Sequence, residues 1–193
     1  YGGRIQYPVP KGEIALSYHH RTADATNIID SPQYKEIPEN RIGVDGKWDV
    51  GVGLWFEGAY IKKEKMIGEL TNQTFLSLGI DYTFGIGSGL NVVVEHLFAG
   101  YNESNLSLAN SNNTDAITLT YPRTLFDTIS LIGAYSWSTE SATVFLNYQH
   151  DFKKVTGYLM AYYNPKVEIN IQQNEFVNQF AGPGIRLMFV YNH

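Results

Sequence analysis

Apolar and polar residues alternate one by one along much of the chain. Between Arg41 and Val50, the residues Ile42, Val44, Gly46, Trp48 and Val50 fall on one parity, and Arg41, Gly43, Asp45, Lys47 and Asp49 on the other. Side chains of an extended strand repeat every two residues, so each set occupies one face. One face suits an apolar medium; the other suits water and ions. Ile14, Leu16 and Tyr18 against Glu13, Ser17, His19 and Arg21 repeat the pattern, as do Val167, Ile169 and Ile171 against Glu168, Asn170 and Gln172. This period predicts eleven strands, centred on Ile5, Leu16, Val44, Phe56, Leu78, Val94, Leu131, Leu146, Leu159, Ile169 and Leu187.

The connections alternate as well. Pro10-Lys11-Gly12, Val50-Gly51, Gly85 to Gly89, Ser138 to Ser141 and Asn164-Pro165-Lys166 carry the Gly, Pro, Asn and Ser chemistry of tight turns. Between them run longer polar stretches, Thr22 to Asn40, Lys62 to Gln73, Asn102 to Thr124 and Gln173 to Gly182, with Lys153-Lys154 as a short exception. Tight turns on one side and long loops on the other, joined by strands with one apolar and one polar face, predict an all-β, antiparallel up-and-down transmembrane β-barrel. Tyr7, Trp48, Tyr82, Phe84, Tyr135, Trp137, Phe189 and Tyr191 fall on outward positions near the tight-turn end, where an aromatic girdle would meet the membrane interface.

Composition refines this expectation. The chain has 193 residues and no linker rich in Pro, Ser or charge, so residues 1–193 read as a single domain. Charged residues make up 17% and aromatics 14%; the mean hydropathy of -0.21 conceals a lipid-facing surface, because alternation averages out. There is no run of about 18 apolar residues from which to build a transmembrane helix. Cys is absent, which excludes disulfides, thiolate metal sites and thiol nucleophiles. A net charge of -5 and the lack of a basic cluster argue against a nucleic-acid partner.

Eleven is an odd number, whereas bacterial single-chain barrels have even strand numbers. An open sheet edge facing lipid would leave N–H and C=O groups unpaired. The chain is therefore expected to be the C-terminal part of a larger barrel of 12 or more strands, incomplete at its N-terminus. The alternative is one strand too many, at Val167 to Gln172, and a ten-stranded closed barrel.

Gly184-Ile185-Arg186-Leu187-Met188-Phe189-Val190-Tyr191 resembles the terminal strand of Gram-negative outer-membrane proteins of the porin-like class, a Gly followed by alternating outward apolar and aromatic residues. It departs from the commonest form, which ends in Phe; here the chain closes Tyr191-Asn192-His193. The resemblance implies a bacterial outer-membrane address, contact with outer-membrane lipid and insertion by the outer-membrane assembly machinery.

Parity assigns the inward wall. Arg4, Arg21, Arg41, Lys47 and Arg186 face Asp45, Asp49, Glu57, Asp81 and Glu95 as a candidate pore lining, with Gln6, Glu13, His19, Ser77, Asn91, Ser130, Asn147 and Gln149 between them. Mixed charge of this kind would set a transverse field across a water-filled pore; in a narrow barrel it would instead form salt bridges that fill the interior. Catalysis is not expected: His19-His20 and His150-Asp151 are sequence neighbours, which a strand sends to opposite faces. Asp24, Asp30 and Glu36 lack the spacing of a Ca²⁺ loop, and neither metal nor cofactor is expected. Asn72-Gln73-Thr74 and three further Asn-x-Ser/Thr matches lie in predicted loops, where they indicate exposure only.

The leading expectation is thus a passive outer-membrane channel for ions or small hydrophilic solutes. A structural barrel that encloses or binds a partner protein is the second reading; the candidate protein partners are a second copy, in a homo-oligomer, or a protein that occupies the lumen. A soluble, lipocalin-like ligand-binding barrel is the third, and it would turn the apolar faces inward.

Overall fold

The computed structural model describes residues 1–24, 34–104, 111–165 and 181–192. These form eleven strands and no helix: β1 (Gly2–Val9), β2 (Gly12–Asp24), β3 (Glu36–Asp49), β4 (Gly53–Lys63), β5 (Asn72–Phe84), β6 (Leu90–Asn102), β7 (Ser111–Pro122), β8 (Asp127–Ser136), β9 (Ser141–Asp151), β10 (Val155–Asn164) and β11 (Gly182–Tyr191). They join in one antiparallel up-and-down sheet in sequence order. No ladder joins β1 to β11 among the described residues.

Ten of the predicted strands are present. The strand β7 lies inside the stretch from Asn102 to Thr124 that the sequence predicts to be one long loop. Its Thr and Asn content hides an alternation of Ile117, Leu119 and Tyr121 against Ala116, Thr118 and Thr120. The predicted strand from Val167 to Gln172 lies outside the described residues, and β10 pairs directly with β11. Strands β2, β3 and β4 also reach further than expected, to Asp24, back to Glu36 and on to Lys63.

The chain divides into two compact units. One holds the described residues of 1–80 and 96–113; the other holds Asp81–Glu95 with the described residues from Thr114 on.

In the first unit, register fixes the faces. Leu16 pairs with Ile5 on one side and Val44 on the other, and Val44 pairs with Gly58, so these lie on one face with Tyr7, Ile14, Ile42, Trp48, Leu54, Phe56 and Tyr60. Much of this face is exposed: Ile5 77%, Leu16 57% and Ile42 51%. The opposite face holds Arg4, Glu13, Ser17, Arg21, Glu39, Arg41, Asp45, Lys47, Glu57 and Lys63. Among the described residues there is no sizeable apolar core, and the largest fully buried side chains are Ile37 and Glu39. Ile37 packs on Ile67, with Tyr34 and Leu70 against them. The connection 64–71 is tied down by the Lys63 N–H donating to the Thr71 carbonyl (2.8 Å) and the Glu64 N–H to that of Pro38 (2.9 Å).

In the second unit, Leu131 pairs with Leu119 and Leu146, Leu146 with Ala161, and Ala161 with Ile185, building an apolar face with Ile129, Val144, Leu159 and Leu187. The other face carries Thr120, Ser130, Asn147, Met160 and Arg186 in one row and Thr118, Ile132, Phe145 and Tyr162 in the next. Turns 85–89, 123–126 and 152–154 share one end: the Ser88 hydroxyl donates to the Pro122 carbonyl, and the Asp151 N–H donates to that of Phe126 at 2.8 Å.

Because β7 is a strand, the turn 137–140 falls at the opposite end of β8 from 123–126. Tyr135 and Trp137 therefore lie at the other end from Phe189 and Tyr191, not in one girdle with them. They pack edge to face with centroids 4.9 Å apart. The Lys153-Lys154 connection, expected on the long-loop side, sits at the tight-turn end.

Candidate functional site

The charged wall of the first unit is built by β1 to β4, whose register arranges it in rows. Starting at the end of the longer connections, the first row is Arg21, Glu39 and Lys63; the second holds His19 and Arg41; the third Arg4, Ser17, Gly43 and Ala59. The fourth holds Gln6, Ala15, Asp45 and Glu57, the fifth Glu13, Lys47 and Trp55, and the last Asp49.

Glu39 is fully buried and organises the first two rows. Its Oε1 accepts from Arg21 Nε at 2.6 Å and Arg41 Nε at 2.7 Å, and its Oε2 from Lys63 Nζ at 2.7 Å. Three cations compensate one carboxylate that has left water; a lone buried carboxylate would otherwise lose several kcal/mol of hydration.

Lower down, Arg4 grips Asp45 through its two terminal guanidinium nitrogens, at 2.6 and 2.8 Å. This fork geometry is the strong form of the Arg–carboxylate contact. Lys47 lies 2.9 Å from Glu13, which also accepts from the Gln6 amide. Between the two clusters the small residues Ser17, Gly43 and Ala59 leave a concavity of about 450 Å³, also lined by Arg4, Asp45, Glu57, Phe75, Ser77 and Leu97. At the turn end, Asp49 Oδ1 accepts from the Gly51 N–H at 3.3 Å.

Of the predicted pore-lining residues, Arg4, Arg21, Arg41, Asp45, Lys47, Asp49 and Glu57 thus share this face. Asp81, Glu95 and Arg186 belong to the second unit. Arg186 pairs with Met160, and a 3.1 Å hydrogen bond from Asn91 to Thr83 puts the parity of Asp81 and Glu95 on one face. Glu39 and Lys63 are absent from the predicted site because both fall in stretches expected to be loops. The signal that would have found them is the unbroken parity Glu39, Arg41, Gly43, Asp45; Pro38, which cannot donate to a ladder, obscures the strand's start.

The charges are segregated along the strands. Among β1 to β4, the first three rows hold the cations Arg4, Arg21, Arg41 and Lys63 against Glu39 alone, a net +3 with His19 neutral. The remaining rows hold the acids Glu13, Asp45, Asp49 and Glu57 against Lys47 alone, a net -3.

A second polar cluster sits on the apolar-face parity of the second unit, at its tight-turn end. Asp127 accepts from His150 Nδ1 at 2.7 Å, and from the Tyr148 hydroxyl and Thr124 Oγ1. His150 therefore pairs across the ladder with Asp127, not with its neighbour Asp151. The Thr124 hydroxyl also accepts from the Phe126 and Asp127 N–H groups, so the cluster fixes the 123–126 turn. On the corresponding face of the first unit, Tyr18 and His20 both reach Asn40 Oδ1, at 2.6 and 3.0 Å, and Tyr60 donates to Asn72 Oδ1 at 2.7 Å. Asn72 is 4% exposed and its amide donates to the carbonyls of Asn102 and Glu103, so it is a structural residue and not an exposed loop position.

No family model, no curated protein and no solved structure matches the chain.

Proposed function

We propose that the chain forms part of an outer-membrane β-barrel whose charged face lines a water-filled channel for passive diffusion of ions or small hydrophilic solutes. The observation that carries this reading is the sorting of side chains: strands of 8 to 14 residues with an exposed apolar face and an opposite face holding ion pairs and a concavity rimmed by Arg4, Asp45 and Glu57. Tilted strands of about 9 to 11 residues suffice to cross a bilayer. Aromatics at both ends of the apolar face, Tyr7 and Trp48 toward one and Tyr18 and Tyr60 toward the other, suit two interfaces. Eleven antiparallel strands leave β1 and β11 running the same way, so antiparallel closure calls for an odd number of further strands, at least a twelfth.

A structural barrel that holds a partner protein is the second reading. It is favoured by the ion pairing of all five cations that β1 to β4 place on the charged face. Planar-bilayer recording of the folded protein separates the two. A channel gives discrete current steps, with unequal currents at the two polarities because the wall's charge is graded along the strands. Folded protein that conducts nothing removes the channel reading.

A further inference from the structure

We infer that Arg21 and Arg41, drawn together by Glu39 with Lys63 largely covered behind them, form a binding site for small multivalent oxyanions, inorganic phosphate or a phosphorylated solute, at the end of the charged wall away from the tight turns. This rests on the reading of that wall as water-facing.

Three cations converge on Glu39 within 2.6 to 2.7 Å, leaving the cluster two positive charges in excess. The carboxylate is fully covered, whereas the Arg21 side chain is 57% exposed and that of Arg41 36%. Glu39 thus works from behind: it draws the cations together and spends one charge, while the guanidiniums stay open to solvent. Both guanidiniums bond the same Glu39 oxygen, and the N–H donors they do not spend on it suit phosphate oxygens. Each is already held by a hydrogen bond to Glu39, so little freedom remains to be lost on binding. The adjoining Arg41 row contributes no acid, and the next carboxylates of this face, Asp45 and Glu57, lie two rows beyond it, about 13 Å along the strand. A multivalent anion is therefore attracted to this end of the wall and repelled from the other.

Calorimetric titration of the full-length protein, folded in detergent, with inorganic phosphate tests the site. Binding is expected to saturate, to weaken about tenfold or more in the Arg21→Gln, Arg41→Gln double variant, and to change less than about twofold in Lys47→Gln. If the double variant loses the heat-modifiable gel migration of a folded barrel, Arg21→Gln alone, more than half exposed, carries the comparison. Competition by soluble glycerol phosphate would assign the site to a free solute, and competition only by phosphatidic acid micelles to a lipid headgroup. Phosphate binding that is absent from the folded wild type, or undiminished by the Arg substitutions, overturns the proposal. Binding in a protein that conducts nothing keeps the site and removes the channel; conductance without binding does the reverse.

Discussion

Burial of Glu39 is worthwhile only while its three cations stay in place, since removing one member of a buried charge cluster leaves the others uncompensated. Glu39→Gln keeps the volume and removes the charge. It is expected to lower stability by about 1 to 3 kcal/mol, a cost that falls on Lys63, whose side chain is 10% exposed, more than on the open guanidiniums, read as a drop in the urea midpoint of the detergent-folded protein. Phosphate should restore part of that loss, because the variant carries three positive charges with no anion among them. Little change in the midpoint would mean that the cations are adequately solvated without the carboxylate. The exposed Lys47–Glu13 contact differs in kind: with the Lys47 side chain 70% exposed, screening by water leaves it worth at most about 1 kcal/mol. Sequence parity places Arg21, Arg41 and Lys47 on one face, but it gives no hint that the first two share a carboxylate and the third does not. That distinction depends on where β3 begins, and Pro38 hides it.

At the scale of the strand, close packing across the ladder is visible in Gly79 of β5. A Cβ built there would lie 2.0 Å from the Trp55 indole of β4. Gly79→Ala is expected to push Trp55 off this face and cost about 1 to 3 kcal/mol. The shift can be read from Trp55 emission in a background where Trp48 and Trp137 are Phe; unchanged emission and stability would mean that the indole does not lie over the glycine. Alternation alone locates ten of the eleven strands, because Ile, Val, Leu and aromatic residues mark the apolar parity on each. It misses β7, where the polar parity from Thr114 to Thr120 is only Thr and Ala and the strand starts among Asn112, Asn113 and Thr114, residues that normally mark a loop. That single omission inverts the end assigned to the turn 137–140 and so misplaces Tyr135 and Trp137. The pairing of His150 with Asp127 was equally illegible, since it follows from a register between β8 and β9 that no local pattern fixes.

For the whole molecule, a mean hydropathy of -0.21 coexists with large exposed apolar residues on strand after strand. On the proposed reading a bilayer covers that surface. The absence of Cys permits a direct reading of the two faces, because a single introduced thiol has no competitor. The decisive measurement is therefore the labelling of single Cys variants along β2, from Ile14 to His19, in protein folded into liposomes, using a membrane-impermeant charged thiol reagent. Ser17→Cys and His19→Cys are expected to react and, in a conducting protein, to reduce the current; Leu16→Cys and Tyr18→Cys are expected to resist that reagent and to react with a lipid-soluble maleimide. Reaction at the Leu16 and Tyr18 positions with protection at Ser17 and His19 would contradict a lipid-facing apolar surface, and would turn the apolar face inward as in a soluble ligand-binding barrel.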